Sequence, residues 1–379
     1  MIKILHTGDL HLDSPLSSLD YSVAQKVRES HRNAFEKMMQ YAIQEDVDLI
    51  LIAGDLFDGK YVSAATKELV IKTFGDFAKP IVISPGNHDP YSLVPLYKSG
   101  ALPENVHVFS SEELSRVDFD ELSLSVYGYA FVTPSLEHSP LAEYDMSLGK
   151  NPIRLLCAHA ELGAPLSKYA PLTVADIERF DFRYAALGHL HNPPEISFDK
   201  TPIKYCGFLF GRSFDEIGEG GAYLVTIDEN KTDAERIVFS NHKFIKDTLD
   251  VSGARDNAEI QGRIAAFISE QGYGKNTSLS LSLVGTLPLE LVVNKRLLEA
   301  NDTVSELKIK DVTTPLPDGA SLISDPTLRG EIYRALLPKL SGSDAEERKL
   351  AAEALRLALC AIDGTALSGI LQSDEEGAQ

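Results

Sequence analysis

Five short clusters of side chains that can bind metal ions lie in the first half of the chain. They are Asp9-Leu10-His11, Gly54-Asp55-Leu56-Phe57-Asp58, Gly86-Asn87-His88-Asp89, His159 and Gly188-His189-Leu190-His191. Carboxylate, imidazole and amide donors in combination suit divalent ions such as manganese, iron or zinc better than ions that prefer thiolates. The clusters therefore predict a site for divalent cations.

Each cluster comes directly after a short run of branched apolar residues, and such runs predict buried strands. The runs cover residues 2–5, 48–53, 81–84, 153–157 and 183–187. Apolar residues at helical spacing over 22–44 and 64–77 predict helices between the strands, so the expected fold class is α/β. Ligands of open α/β sheets bind beyond the carboxyl ends of the strands, where we expect the five clusters to meet.

The predicted ligands divide naturally between two cations. Asp55 is expected to bridge them, because its carboxylate has two oxygen atoms and can bind two ions. One cation would take Asp9, His11, Asp55 and His191, and the other would take Asp55, Asn87, His159 and His189. A water activated between two such ions attacks phosphorus in line with the leaving group, which indicates phosphoester hydrolysis.

His88 and Asp58 are the expected catalytic pair. His88 follows the predicted ligand Asn87, and we expect it to protonate the leaving oxygen and to stabilise charge beside the phosphorus atom. Asp58 comes three residues after Asp55. We expect it to accept the other ring proton of His88 and so to fix the tautomer of that ring.

Each cluster taken alone has an interpretation that requires no metal. Asp-x-His pairs occur by chance, and glycine, asparagine and aspartate are common in turns. The presence of all five clusters in one chain, each at a strand end, argues against coincidence. The other histidines are expected to be core or surface residues; they are His6, His31, His107, His138 and His242.

The chain is too long for one ordinary domain. The first domain is predicted to cover residues 1–243. Beyond it, a helix over 256–271 and a strand over 279–283 indicate a small α+β domain at 244–322.

The C-terminal part is predicted to be helical. Apolar residues four apart from Leu328 predict a helix that ends at Pro338. A capping box of Ser343 and Glu346 predicts a further helix through Ile362. The helical segment is assigned to 323–371, and the polar tail 372–379 is expected to be disordered.

The composition is that of a globular protein, with 44% hydrophobic and 24% charged residues. We expect a cytoplasmic protein, because the sequence has no basic leader, no apolar run of the ~20 residues that a membrane helix needs, and only three distant cysteines. A net charge of -20 argues against nucleic-acid binding by phosphate neutralisation alone. Bound cations or a protein partner would have to supply positive charge.

The series of motifs resembles the calcineurin-like metallophosphoesterase superfamily. Within it, the chain is similar to the SbcD-type DNA repair exonucleases and their shorter YhaO-like relatives. Three further segments share this similarity, namely residues 9–16 (DLHLDSPL), 211–221 (GRSFDEIGEGG) and 325–331 (DPTLRGE). The similarity is most specific in the first 215 residues and least specific from 245 to 320.

This resemblance implies a two-sheet sandwich flanked by helices, a pair of manganese ions and a homodimer. It also implies a DNA-capping second domain and a coiled-coil ATPase partner of the SbcC type, which contacts C-terminal helices. The roles given above to the seven ligands, His88 and Asp58 carry over at matching motif positions. DNA is therefore the expected substrate and exonucleolytic hydrolysis the expected reaction, while the polarity of cleavage stays open.

Three other functions fit the sequence less well than a nuclease. A phosphoprotein phosphatase is disfavoured because Gly59 stands where those enzymes have a phosphate-binding arginine. A cyclic-nucleotide or other small phosphodiesterase does not need the long segment after residue 240. A metal-stabilised scaffold does not need an open pair of metal sites. The sequence leaves open whether the C-terminal helices dock a partner or pack on the chain itself.

Overall fold

Short runs of valine, isoleucine and leucine form strands because their side chains pack well on a pleated, buried surface. The computed structural model describes residues 1–16, 21–142, 144, 149–229, 231–288, 291–316 and 319–363. The chain divides into two compact units, Met1–Lys243 and Phe244–Gln379. The tail 372–379, predicted to be disordered, lies outside the described residues.

The first unit alternates strands with helices. In chain order its elements are β1 (Ile2–Thr7), α1 (Tyr21–Gln44), β2 (Leu49–Ile52), α2 (Ala64–Phe77), β3 (Ile81–Ile83), α3 (Pro95–Lys98), β4 (Val106–Val108), β5 (Ser115–Phe119), β6 (Leu124–Gly128), β7 (Ile153–His159), β8 (Glu161–Leu162), β9 (Pro171–Leu172), α4 (Val174–Glu178), β10 (Tyr184–Gly188), β11 (Ile203–Tyr205), β12 (Gly218–Ile227) and β13 (Thr232–Asp250). The last residues of β13 belong to the second unit.

Two sheets are built from these strands. In the first sheet, β13, β12, β1, β2, β3 and β4 lie side by side in that order, and β1 to β4 are parallel. In the second sheet the order is β11, β10, β7, β6 and β5, and the first four of these are parallel. Thr7 pairs with Ile52 and Gly188 with His159, so the carboxyl ends of neighbouring strands are level.

Side chains alternate along each strand between two buried layers. One layer joins the sheets, and it includes Ile4, Leu49, Leu51, Leu155 and Tyr184. The opposite face of the first sheet packs on α1 and α2, and the opposite face of the second sheet packs around α4. The predicted α/β fold, with two sheets flanked by helices, is therefore confirmed.

The helix α2 has the bounds that the sequence predicts. Ser63 caps its first turn, because the Ser63 side chain accepts the backbone N–H of Thr66. Ala78 ends the helix with a left-handed backbone, φ 58°, and its N–H bonds the carbonyl of Phe74. Val70 and Phe74 are buried under the first sheet, so local capping and tertiary packing favour the same helix.

The second unit contains both strands and helices, as predicted. Its elements are α5 (Asn257–Glu270), β14 (Thr277–Val284), β15 (Thr286–Pro288), α6 (Lys295–Glu299), β16 (Glu306–Asp311), β17 (Thr314–Leu316), α7 (Gly319–Ser324), α8 (Leu328–Leu340) and α9 (Ala345–Asp363). The isoleucines of α5, spaced four apart from Ile260 to Ile268, pack on the leucines of β14. The division of this unit at residue 322 stays a prediction.

Two predictions about the C-terminal helices are wrong in detail. Pro338 does not end α8, which continues to Leu340. Because Pro338 lies in the last turn, its missing N–H costs the helix one hydrogen bond near an end that frays anyway. Helix α9 is capped by Asp344, which accepts the N–H groups of Glu346 and Glu347, and not by Ser343. Across the described ranges, no helix is long and apolar enough to cross a membrane.

Candidate metal centre

Asp9 and Asp55 are the buried carboxylates at the centre of the site. Asp9 follows β1, and its two oxygens accept the backbone N–H of His189 at 2.9 and 3.1 Å. Asp55 follows β2, and its Oδ1 accepts the backbone N–H of His88 at 2.9 Å. Each carboxylate is thereby fixed by the loop after a different strand, and together these bonds connect four of the five strand ends that the sequence singled out.

The backbone of these loops is unusual. Asp9 has φ 47°, His11 φ 45° and Asp55 φ 51°, which is the left-handed region that residues other than glycine rarely adopt. Such conformations persist where surrounding contacts hold them, and they concentrate at functional sites. Gly86 is required for a different reason, since a Cβ there would lie 2.3 Å from Asp55 Oδ1. The fold therefore keeps this space for the Asp55 carboxylate.

His159 is held with one nitrogen facing the buried carboxylates. Its Nδ1–H donates to the carbonyl of Ala53 at 3.0 Å, which leaves Nε2 unprotonated. Nε2 lies 2.8 Å from Asn87 Oδ1 and 3.5 Å from Asp55 Oδ2. Because none of these three atoms then carries a proton, they suit a shared cation.

His191 and His11 repeat this arrangement on the other side of Asp55. The Nδ1–H of His191 donates to Glu216 Oε1 at 2.7 Å, which directs Nε2 toward the buried carboxylates. Burial opposes protonation of His191, but hydrogen bonding to Glu216 raises its pKa overall. His191 Nε2 lies 3.1 Å from His11 Nε2 and 3.8 Å from Asp9 Oδ1. His11 Nε2 is also 3.6 Å from Asp55 Oδ2. The four side chains predicted to hold one cation therefore meet at one point.

The donors form three groups that could hold a metal ion: one joins His11 to Asp58 and His88, and the other two contain the buried carboxylates. Donor atoms of Asp9, His11 and His191 lie within 4.8 Å of one another, and so do those of Asp9, Asp55 and His159. Burial raises the pKa of Asp9 to about 7 and that of Asp55 to about 6. Buried carboxylates facing neutral imidazoles are costly unless a cation neutralises them. The donor set thus fits two divalent cations.

His189 follows β10 and lies beside His159. Its ring packs against the ring of His159 at 5.1 Å between centroids and against Tyr169 at 4.7 Å. Burial lowers the pKa of His189 to about 3, so the ring is neutral and has a free lone pair. His189 does not belong to any of the three groups above, and its role as a ligand stays a prediction.

His88 lies at the edge of the centre and is paired with Asp58. Its Nδ1 is 2.9 Å from Asp58 Oδ1, and this hydrogen bond raises the pKa of His88. Burial opposes ionisation of Asp58, but hydrogen bonds from His88 and Ser14 lower its pKa overall. The His88 side chain is 48% exposed. A protonated imidazole that reaches solvent beside buried metal ligands can contact a substrate directly.

Two residues that the sequence assigned no role connect the parts of the site. Arg212 donates to Glu216 Oε1 through Nε at 2.9 Å, and its Nη1 lies 3.4 Å from Asp58 Oδ2. Burial opposes ionisation of Glu216, yet hydrogen bonding to His191 and the Arg212 charge lower its pKa to about 2. Arg212 therefore joins the carboxylates that orient His191 and His88. In the sequence, the only indication of a role for Arg212 and Glu216 was that both lie in the segment 211–221, which resembles the family.

Asp89 is the third residue without a predicted role. It is fully buried, and its carboxylate accepts backbone N–H groups from Gly86, Asp55, Leu56 and Phe57. The hydroxyl of Tyr97 donates to it as well. Asp89 therefore connects the loop after β2 to the loop after β3, and it positions the predicted ligands Asp55 and Asn87.

Glu216→Gln is expected to weaken Mn²⁺ binding by about 10–100-fold while the fold is kept. The amide can still accept the His191 proton, but it lacks the charge that strengthens the imidazole as a ligand. Isothermal titration calorimetry with Mn²⁺ measures the affinity, and Glu219→Gln, an exposed glutamate nearby, is the control. Equal affinity in both variants would show that Glu216 does not tune the centre.

The chain was compared with known proteins. A family model for calcineurin-like phosphoesterase matches residues 2–193, which include the nine predicted site residues. The metallophosphoesterase YhaO of Bacillus subtilis (strain 168) is 29% identical over 299 residues, which cover 76% of this chain and 72% of that protein. The SbcD subunit of the nuclease SbcCD of Staphylococcus epidermidis (strain ATCC 12228 / FDA PCI 1200) is 28% identical over 261 residues, covering 60% of this chain and 67% of that protein.

These similarities agree with the geometry. The matched region contains the strand ends, both buried carboxylates and the histidines that face them, while Arg212 and Glu216 lie beyond it. The chain belongs to the calcineurin-like phosphoesterase family, in its group of SbcD-like and YhaO-like proteins.

Proposed function

We propose that this protein is a DNA exonuclease that hydrolyses phosphodiester bonds with two divalent cations, Mn²⁺ being the best match to its donors. The observation that carries the proposal is the half-exposed, Asp58-paired His88 beside buried carboxylates and unprotonated imidazoles. A site that only bound metal would not need an acid facing solvent. The relative named as part of a nuclease supports DNA as the substrate.

In the proposed mechanism, one cation would be held by Asp9, His11, Asp55 and His191, and the other by Asp55, Asn87, His159 and His189. Cations at such a site polarise the phosphoryl group and lower the pKa of an attacking water. His88, protonated because Asp58 accepts its Nδ1–H, donates a proton from Nε2 to the leaving oxygen. Arg212 keeps Asp58 charged and in place.

We further propose that the protein works in DNA repair as a homodimer with an SbcC-like coiled-coil ATPase. The net charge of -20 supports a need for a partner, because the chain as a whole repels a polyanion. The second unit would then cap DNA with residues 244–322 and contact the ATPase through residues 323–371. In α8 and α9, Leu328 and Leu350 are 61% and 72% exposed, which leaves apolar surface for such a contact.

The test uses purified full-length protein with Mn²⁺ and three substrates: linear duplex DNA, single-stranded DNA and bis(p-nitrophenyl) phosphate. We expect DNA to be shortened from its ends in Mn²⁺ and left intact in EDTA. Turnover of the small diester with DNA left intact, even after the ATPase partner is added, would contradict the nuclease proposal and favour a small-molecule phosphodiesterase.

A further inference from the structure

A cationic cleft lies beside the metal centre in the first unit. It has a volume of about 370 Å³, and its walls include Arg28, Lys60, Tyr61 and Lys67. Asp13 also lines the cleft and accepts the backbone N–H of Ser63, which precedes α2. Lys60 and Tyr61 follow Asp58 and Gly59 directly in the chain. One wall of the cleft therefore continues the loop that carries Asp58, which is hydrogen-bonded to His88.

Short hydrogen bonds connect the cleft to that catalytic pair. The backbone N–H of Gly59 donates to the carbonyl of His88 at 2.9 Å. Ser14 Oγ donates to Asp58 Oδ2 at 2.7 Å, and the Arg28 guanidinium donates to the carbonyl of Ser14 at 2.9 Å. The cleft is thus connected to His88 through Ser14 and Asp58.

Three basic side chains line the cleft, namely Arg28, Lys60 and Lys67. In the described ranges, Arg28, Lys60 and Lys67 form no ion pair with a carboxylate. Asp13, the carboxylate that lines the cleft, forms an ion pair with Arg32 and accepts hydrogen bonds from Thr66 and from the backbone of Ser63. Three cations without such a pair, in a chain of charge -20, indicate a site for an anion.

Tyr61 gives the cleft an aromatic edge. Its side chain is 80% exposed, although the next residue, Val62, is anchored in the core of the first unit. The Lys60 ammonium lies 4.9 Å from the centre of the Tyr61 ring. An exposed ring beside cations suits a ligand that is both anionic and planar, because bases stack on aromatic side chains while basic residues contact the backbone.

We propose that the cationic cleft binds the nucleic-acid strand next to the scissile phosphodiester, with Lys60 and Lys67 on its phosphates and Tyr61 under a base. This proposal rests on the proposed nuclease function. It adds that the strand is read as a polyanion with stacked bases, without regard to sequence. A mononucleotide diester would reach the metal centre but leave the cleft empty.

The experiment compares the double variant Lys60→Ala/Lys67→Ala with Lys72→Ala, a control on the exposed side of the same helix. Fluorescence anisotropy of a labelled oligonucleotide in EDTA reports binding without cleavage. We expect binding by the double variant to be about tenfold weaker, and its log–log salt slope to fall by about 2, one for each phosphate that no longer meets a lysine. Tyr61→Ala should weaken binding by about 5–100-fold, whereas Tyr61→Phe should not.

Turnover of bis(p-nitrophenyl) phosphate in Mn²⁺ separates the cleft from the metal centre. The double variant should keep wild-type turnover of this diester and cleave DNA with a kcat/KM about tenfold below that of wild type, in line with its weaker binding. Oligonucleotide binding and salt slope equal to those of wild type would overturn the cleft proposal, even if DNA is cleaved. Wild-type protein that binds the oligonucleotide through the cleft but never cleaves DNA would instead overturn the nuclease function.

Discussion

Asp55→Asn is expected to lower turnover of every substrate by at least ~10³-fold, because the bridging carboxylate is lost and a metal ion contributes several kcal/mol to the transition state. The substitution is expected to leave the fold unchanged. Asparagine tolerates the left-handed backbone that Asp55 adopts at φ 51°, and it has nearly the same shape. The loss should therefore come from metal binding alone.

A second readout makes this expectation sharper. In EDTA the variant should melt at or above the wild-type temperature, because a buried amide costs less than a buried carboxylate without a cation. In Mn²⁺ the order should reverse, because ligand binding stabilises only the wild-type protein. Melting curves with and without Mn²⁺ measure both effects. If Mn²⁺ stabilises both proteins equally, Asp55 is not a bridging ligand.

His88→Ala is expected to lower kcat on DNA by about 10²–10⁴-fold while metal content is kept. The reason is that His88 donates only a backbone N–H to Asp55, and its ring lies at the solvent-facing edge. Turnover under saturating Mn²⁺ and metal analysis of the same sample check both parts. Loss of bound metal in the variant would make His88 a ligand.

The leaving group distinguishes two roles for His88. A deoxyribose oxygen must be protonated as it leaves, whereas p-nitrophenolate leaves readily as an anion. We therefore expect the substitution to harm DNA cleavage far more than bis(p-nitrophenyl) phosphate turnover. Equal losses on both substrates would mean that His88 stabilises charge and does not transfer a proton. Asp58→Asn should show the same substrate dependence with a smaller loss, because it leaves the His88 ring in place.

The parts of the fold that depend on local patterns were predicted well. The bounds of α2 follow from Ser63 at its start and from an apolar stripe that reaches Phe77, both of which are visible in the sequence. The strands before the metal motifs were found because their branched residues are buried on both faces. The predicted end of α8 at Pro338 was wrong, because a proline that normally ends a helix is tolerated here two residues before the last helical residue.

The candidate site was predicted only as far as its motifs extend. Asp9, Asp55 and the histidines stand out because each follows a strand, and strand ends converge in this class of fold. Glu216 and Arg212 could not be found this way. They act through contacts with His191 and Asp58 that lie 25 and 154 positions away in the chain. Such pairs depend on tertiary structure, and no spacing rule predicts them.

The two sheets each supply half of the metal centre, and this makes the centre a cross-link. His11 follows β1 of the first sheet and His191 follows β10 of the second, and 180 positions of chain separate these two predicted ligands of one cation. Cations bound between such residues would close this long loop of the chain, as a disulfide does. Such a cross-link would stabilise the fold because it lowers the conformational entropy of the unfolded chain. A chelator that removes the cations would then destabilise the packing of the two sheets as well as remove the catalytic ions.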